Sequence, residues 1–443
     1  MSEKIKKFSI GGTSVPGRKE LSCNRPTKTL PFPDRVIIPL GQHIGKPGKV
    51  IVSEGDEVLR GQPLTKEQEG FSARIHASIA GKITAIKEMP IAGGIKNESI
   101  IIENKNGNQK EVDFEKEIIG SPKDITPDSI RNITRRAGII GMGGAGFPTH
   151  IKLNPPEDKN IDTVIINGAE CEPYITVDDR ALQEKTKDVY QGLEYIRKTV
   201  GASQGFVACE ENKPQALKAL YQEEKNWDNL SCVTLDSRYP HGAEKKLIEA
   251  VLQREIPLNG LPLDVGVIVN NVQTTIAITE ALKSGLPLID RSVTVSGRGI
   301  AQPENLRVPI GTPVQYLIDF CGGLNSEEVI PLMGGPMTGL KIENMEIPIT
   351  KTSIGIIILT PDEYQKVEFR VCIRCGKCVD VCPVYITPNR ITDFINNEYF
   401  LNAVDLGLKS CIECGACAYV CPSKRPLLKW LKKGKAACRK LNI

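Results

Sequence analysis

The sequence predicts a multidomain α/β chain, and three observations carry the prediction. Residues 35–86 alternate short apolar runs with Gly-Asp and Ala-Gly turns, the texture of a small all-β unit. Between residues 163 and 269, strand-length apolar runs are separated by helix-length amphipathic segments, the pattern of a parallel sheet covered by helices. Eight of the 14 cysteines fall into two runs of four near the C-terminus. That grouping favours metal ligation in a reducing compartment over disulfides.

Composition narrows the class. The chain has 443 residues, 40% hydrophobic and 25% charged, an ordinary globular balance with room for roughly three or four domains. No apolar run approaches the roughly 20 residues needed to cross a bilayer. The basic start (Lys4, Lys6, Lys7) lacks the apolar stretch of a secretory signal, so a soluble, cytoplasmic chain is expected. The formal charge is +4, yet residues 423–443 carry eight Lys/Arg and no acid. The body is therefore mildly acidic, and no nucleic-acid partner is implied.

In order, residues 1–28 read as an extended arm rich in Gly, Pro and Lys. Residues 29–115 form the all-β unit, with strands at Val36–Leu40 and Gly48–Val52 and a later run at Ile75–Ile86. Its "GDEVLRGQPL" and "AGKI" strings resemble the barrel-sandwich fold of lipoyl and biotinyl carriers. Lys66 lacks a carrier lysine's usual neighbours, so the unit reads as a structural barrel, and His43 and His76 as structural histidines. Residues 111–125 form a charged linker, and Pro127 opens a helix over Asp128–Ile133.

Gly141-Met142-Gly143-Gly144-Ala145-Gly146-Phe147-Pro148-Thr149-His150-Ile151-Lys152 follows. Loops of this kind let backbone N–H groups approach a phosphate, because no Cβ stands in the way. The α/β domain spans 126–285. Its strands are expected at Thr163–Ile166, Gly205–Ala208, Cys232–Leu235 and Val265–Val269, with helices at Arg180–Val200, Pro214–Glu224 and Glu244–Leu252. Ligands in such folds bind beyond the carboxyl ends of the strands. The residues found there are Asn167–Pro173, Cys209–Lys213, Tyr239–Lys245 and Asn270–Thr274. A helix-capping turn and a plain dinucleotide-binding loop are the competing readings of the glycines. The second is disfavoured by Pro148 early in the expected helix.

The strings "GMGGAGFPTHIK", "NGAECEPY", "YPHGAEK" and "VNNVQT" resemble the flavin- and NADH-binding subunit of respiratory complex I. They are closer still to the C subunit of the Rnf complex, a membrane-associated ferredoxin:NAD oxidoreductase. The order of the barrel unit with "IPLGQHIG", the flavin domain and a two-cluster module extends the likeness over nearly the whole chain. It departs at "GGTSVPGRKE", where that family commonly has a Gly-Gly-x-His-Pro string. The resemblance implies a Rossmann-like domain with non-covalent FMN against Gly141, Gly143, Gly144, Lys152, Asn167, Glu170, Gly242, Asn270, Asn271 and Thr274. It also implies NAD(H) beside Phe147, Glu172 and Glu244. In complex I further aromatics near the loop sandwich the adenine; here Lys152 is followed by Leu153-Asn154, so that clamp is incomplete or built elsewhere.

Residues 286–360 return to strands, at Val293–Gly297, Val308–Thr312 and Ile330–Gly335, with a helix at Val314–Cys321. They resemble a soluble-ligand-binding β-grasp unit. Residues 361–425 hold the strongest motif, Cys372-x2-Cys375-x2-Cys378-x3-Cys382-Pro, repeated as Cys411-x2-Cys414-x2-Cys417-x3-Cys421-Pro. In this bacterial two-cluster ferredoxin pattern, three cysteines of a run hold one [4Fe–4S] cluster and the fourth ligates the other. One cluster then takes Cys372, Cys375, Cys378 and Cys421, the other Cys411, Cys414, Cys417 and Cys382. A pair of zinc sites would not require two four-cysteine runs. The near-helical apolar spacing over 389–408 makes the module mainly helical. The tail, 426–443, reads as a basic amphipathic segment for an anionic membrane surface, an acidic partner protein or solvent.

These features lead to the expectation of a peripheral subunit on the cytoplasmic face of the bacterial inner membrane. It would exchange electrons between the clusters, FMN and NAD(H), alongside membrane-embedded and ferredoxin-like subunits, with ferredoxin an indirect partner. Ion translocation would belong to the membrane partners. A soluble flavin and iron–sulfur reductase like the corrinoid reductases is the alternative, and a relay scaffold without nucleotide is a third reading.

Overall fold

The computed structural model describes residues 5–104, 107–120, 125–258, 260–364 and 368–443. The start of the arm, including Lys4, and part of the linker lie outside them. The arm is extended apart from one helical turn at Lys19–Leu21, and it is pinned along its length. Lys6 pairs with Leu235 and Thr13 with Tyr239. Phe8 is buried among Leu235, Leu247 and Val251, and Ser9 donates to Glu249. The arm then supplies strand β1 (Thr27–Thr29), which adds in parallel to a sheet formed by residues 290–359. The arm is a strap across the later domains.

The barrel unit contains β2 (Arg35–Pro39), β3 (Lys49–Val50), β4 (Glu57–Val58), β5 (Thr65–Lys66), β6 (Gly81–Ile91) and β7 (Ile95–Glu103). An antiparallel sheet in the order β2-β7-β6-β4 faces the β3-β5 pair. Val36, Ile38, Leu64, Ile75, Ile79, Ile83, Ile100 and Ile102 fill the space between them. Alternation of side chains about each strand puts these residues inward and the lysines and glutamates outward. Lys66 lies within β5, opposite Lys49, in agreement with a structural barrel.

Thr126 starts the α/β domain by capping the helix Pro127–Arg136, in a reciprocal pair of hydrogen bonds with Ser129. Such a pair satisfies amides that the first helical turn leaves without partners. The domain's strands are β8 (Thr163–Gly168), β9 (Gln204–Glu210), β10 (Leu230–Leu235) and β11 (Val267–Asn271). All are parallel, in the order β10-β9-β8-β11. The chain reverses its direction of growth between β8 and β11, which makes their carboxyl ends a topological switch point. Two details differ from the sequence expectation. The helix expected over Arg180–Val200 is two helices, Val177–Glu184 and Thr186–Val200, which meet at Lys185. The segment expected as linker contains a helical turn, Glu115–Ile119, because Ile118 is buried in the α/β core.

The β-grasp unit comprises β12 (Asp290–Ser296), β13 (Glu304–Pro309), the helix Val314–Phe320, β14 (Ile330–Met333), β15 (Leu340–Lys341) and β16 (Gly355–Leu359). The strand expected over Val308–Thr312 starts earlier, because Glu304–Pro309 pairs with β12. The cysteine module is mainly helical, with Pro388–Asn396 and Phe400–Asp405 between its runs. The tail is not a separate segment. It forms the helix Leu427–Leu441, whose Leu427, Leu431 and Cys438 join Ile391, Ile395 and Leu408 in the module core. Most of its apolar face is buried inside the protein, and the basic face meets solvent.

One buried lysine joins three units. The Lys351 ammonium, on the β-grasp side, donates to the carbonyls of Arg74 in the barrel and Gly138 in the α/β domain, both at 2.7 Å. Its own amide donates to Gln42 Oε1. Burial pushes its pKa down to about 7. Beside this seam His150 is also largely enclosed, and burial together with the nearby Arg135 pushes its pKa down to about 4.

Two outcomes follow from this packing. Phe8→Ala, which empties a fully enclosed aromatic site, lowers the stability of the α/β domain by about 3 kcal/mol, measured by denaturant titration of the full chain. His150 is neutral in the folded state and takes up protons in the unfolded chain from about pH 6.5 downward. Stability therefore falls as pH drops from about 6.5 to about 4, and His150→Gln flattens that limb of the pH–stability curve.

Candidate functional site

The glycine loop is closed at its base and open at its tip. Gly141 N–H donates to the Phe147 carbonyl and Thr149 N–H to that of Ile139. Met142 N–H is taken by the hydroxyl of buried Thr274, at 2.9 Å. Thr274 thus fixes the loop from behind. Gly143, Gly144 and Ala145 form the exposed turn, and among the described residues their amides have no protein acceptor. A Cβ on Gly143 would stand 2.8 Å from the Asn271 side chain, whereas one on Gly144 would meet nothing within 4 Å. The absence of a side chain at Gly143 is a packing requirement; at Gly144 it leaves backbone open to an incoming group.

Loop and strand ends enclose a cleft of about 310 Å³ lined by Gly141, Gly143, Gly144, Phe147, Lys152, Asn167, Gly242, Glu244, Asn270 and Asn271. The cleft sits at the switch point, since Asn167 and Asn271 are paired across β8 and β11. The Lys152 ammonium is held by the Val269 carbonyl at 2.7 Å and by Glu244 at 3.4 Å. Asn167 donates to the Gly242 carbonyl and accepts from Ala169 N–H. Asn271 caps the helix Val272–Ser284 and donates to Asp178. Asn270 differs from both. Its amide nitrogen is buried with no protein partner, and leaving such a donor unpaired costs about 1–3 kcal/mol. A ligand with acceptor oxygens or ring nitrogens satisfies it.

The remaining residues of the expected site lie behind the cleft. Glu170, in the left-handed backbone region, accepts from the amides of Asp178 and Asp179 at the start of a helix. Burial pushes its carboxyl up to about 8. Lys19 from the strap donates to the carbonyls of Glu170, Glu172 and Ile175. Buried Lys213 donates to that of Ala169. Glu172 turns to the β-grasp unit, where Thr338 and the amide of Met337 hold it. Cys171 is a protonated, structural thiol, since burial pushes it up to about 12. Sequence reasoning missed Phe71, which comes from the barrel unit and meets Phe147 edge-on at 5.2 Å. Its only sequence signal is an aromatic residue flanked by Gly70 and Ser72 in a turn.

The two cysteine runs interleave. Cys372, Cys375, Cys378 and Cys421 line one small hollow. Cys411, Cys414, Cys417 and Cys382 are close enough for each to feel the charge of others in the set. Each set of four thiols draws on both runs, the ligand pattern of a two-cluster ferredoxin. The second set is the inner one. Tyr239 donates its hydroxyl to the Cys414 carbonyl at 2.6 Å, and Gly12 N–H donates to Val381 next to Cys382. Tyr239 is three residues before Gly242 of the cleft, so one short segment touches both sites. The segment stands out in the sequence as a strand-end motif, but nothing local marks Tyr239 as the link to the cysteines.

Comparisons with known proteins fit this layout. Residues 7–107 match the RnfC barrel sandwich hybrid domain, 134–280 the Nuo51 FMN-binding domain, 292–341 the SLBB domain and 365–422 the 4Fe-4S dicluster domain. The C subunit of the proton-translocating ferredoxin:NAD(+) oxidoreductase complex of Clostridium ljungdahlii is 42% identical, over 86% of this chain and 83% of the relative. Its Na(+)-translocating counterpart from Acetobacterium woodii is 40% identical, over 87% and 86%. The C subunit of the ion-translocating oxidoreductase complex of Rhodobacter capsulatus is 39% identical, over 91% and 78%. A chain of an NAD+-reducing [NiFe]-hydrogenase, 18% identical, shares the fold with a TM-score of 0.50, over 73% of this chain and 68% of that one. No helix among the described residues is long and apolar enough to cross a membrane. Domain order, site layout and identity over most of both chains lead to one conclusion: this chain belongs to the C-subunit family of ion-translocating ferredoxin:NAD oxidoreductase complexes.

Proposed function

We propose that this chain is the peripheral subunit of such a complex that exchanges electrons between NAD(H), non-covalent FMN and two [4Fe–4S] clusters. It works on the cytoplasmic face of the membrane, beside membrane-embedded and ferredoxin-like subunits that carry out ion translocation. The observation that supports this most is the shared segment Tyr239–Gly242. It lines the cleft at one end and grips the inner cysteine quartet at the other.

FMN, when bound, supplies hydride chemistry toward NAD(H) and one-electron chemistry toward the clusters. The chain's residues bind and orient. The free amides of Gly143, Gly144 and Ala145 would hold the FMN phosphate, and the unpaired Asn270 amide would donate to the ligand at the strand ends. Lys152 sets positive charge against the cleft wall, steadied by Val269 and Glu244. Asn167, Asn271, Glu170 and Thr274 position the strand ends and the loop. Phe147 and Glu244 offer an aromatic face and a carboxylate to a nucleotide, and Glu172 holds the β-grasp loop beside it. No side chain is asked to act as a general base.

Anaerobic reconstitution with iron, sulfide and FMN tests the reading. About one flavin and about eight irons per chain are expected, with the visible absorbance bleached by NADH. Asn270→Ala weakens flavin retention about tenfold, the loss of roughly one charge-free hydrogen bond, while iron content stays unchanged. Full flavin content in that variant overturns the placement of FMN in this cleft.

A further inference from the structure

The two cysteine quartets differ in what surrounds them. The inner one is covered by the strap, by Tyr239 and by the β-grasp loop, whose Met337 carbonyl lies against Gly415. The charges of two ammonium groups reach it, and both groups have other partners. Lys435 donates to the Cys411 carbonyl at 2.9 Å and pairs with Glu413, while Lys246 pairs with Glu249. The outer quartet, Cys372, Cys375, Cys378 and Cys421, opens to solvent at Cys375. The Arg425 guanidinium borders the same hollow as its four thiols.

Arg425 is fastened on two sides. Its side chain is 10% exposed, its Nη2 donates to Asp393 at 2.8 Å, and its guanidinium lies 5.0 Å from the centre of the Trp430 ring. Asp393 belongs to the helix Pro388–Asn396 and Trp430 to the helix Leu427–Leu441, so two elements fix one fork. The Asp393 carboxylate is 57% exposed, and ion pairs so open to water add little stability. What the pair supplies is orientation. Arg425 Nη1 is buried and, among the described residues, has no partner. Such an orphan is costly, and a guanidinium cannot shed its proton to avoid the cost. Burial opposes the charge, but Asp393 and then the Cys372 sulfur favour it, and the pKa of Arg425 goes up. The sulfur is within reach of the guanidinium.

We propose that Arg425 tunes the outer cluster, its free N–H donating to a cluster sulfur on the Cys372 side and raising the reduction potential. The inference rests on the reading of Cys372, Cys375, Cys378 and Cys421 as cluster ligands. One electron added to a four-thiolate [4Fe–4S] centre adds one negative charge. A fixed cation with an N–H bond to sulfur stabilises that reduced state. Shielding from water strengthens the attraction. Arginine suits the task, because its planar fork engages Asp393 with one edge and leaves another for sulfur. A lysine at this position offers the charge without the fork. The outer cluster thus accepts an electron more readily than the same four cysteines would allow alone.

The test uses the full chain, reconstituted with iron and sulfide, and reads its iron first. A wild type that takes up fewer than about eight irons overturns the cluster reading, and this inference with it. The loaded wild type is then prepared with arginine labelled by nitrogen-15 in the guanidino group and reduced with titanium(III) citrate. Pulsed EPR shows a guanidino nitrogen coupled to a reduced cluster, and Arg425→Lys abolishes that coupling. A reductive titration followed by EPR resolves two one-electron steps. Arg425→Gln lowers the equilibrium constant of one step about tenfold, a shift of about 59 mV, and leaves the other unchanged; Arg425→Lys falls between. A loaded wild type without the guanidino coupling overturns the proposal, whether or not the glutamine variant assembles its clusters. So does a coupling that persists in Arg425→Lys, or a loaded glutamine variant whose two steps coincide with those of wild type. An equal shift of both steps also overturns it, since that reports a change across the whole module.

Discussion

Buried ammonium groups gripping backbone carbonyls hold this protein together. Lys351 closes the junction of barrel, α/β and β-grasp units, Lys19 clasps the strap to the turn after β8, and Lys213 anchors that turn from below. A lysine taken out of water is costly unless its hydrogens are used, and each of these has carbonyl partners. At Lys351 the cost is visible as a pKa near 7. A neutral amine still has two N–H groups for its two carbonyls, so the joint survives the loss of its charge. Carbonyls drawn toward lysines on one side leave the turn fixed, and the cleft inherits that rigidity.

The cleft is lined by the α/β domain and backed by other units. Phe71 of the barrel packs on Phe147 of its wall, and the β-grasp loop receives Glu172 behind it. The cysteine module is fastened to the same place through Tyr239 and Gly12. Distance between redox centres is thereby set by hydrogen bonds between rigid pieces, without dependence on a flexible linker. The inner and outer quartets acquire different surroundings from that one attachment.

Some of this is legible in the sequence because it is local. The glycine loop, the strand-end motifs and the cysteine runs each announce themselves within a dozen residues, and the strand–helix alternation gives the parallel sheet. The rest depends on partners far along the chain. Nothing between Ile5 and Thr29 says that Phe8 will enter a core built by residues 235–251, or that Thr27–Thr29 will become an edge strand. The tail looks amphipathic whether its apolar face meets lipid or Ile395, and only packing decides. Glu170 and Asn271 carry site-like chemistry in a site-like motif, yet helix termini claim their polar atoms. Both asparagines line the cleft, and Asn270 is the one left with an unpaired donor because Asp178, distant in sequence, takes the Asn271 amide.

The strap also imposes an order on assembly. Ser9 finds its partner Glu249 240 residues further on, and Gly12 finds Val381 later still. This early segment is thus among the last to find its place, because its seats do not exist until the α/β sheet and the cysteine module have formed. Contacts so distant in sequence slow folding, through the entropy of closing long loops. Until the strap closes, the backbone beside Cys382 lacks the cover that Gly11 and Gly12 give it in the finished protein.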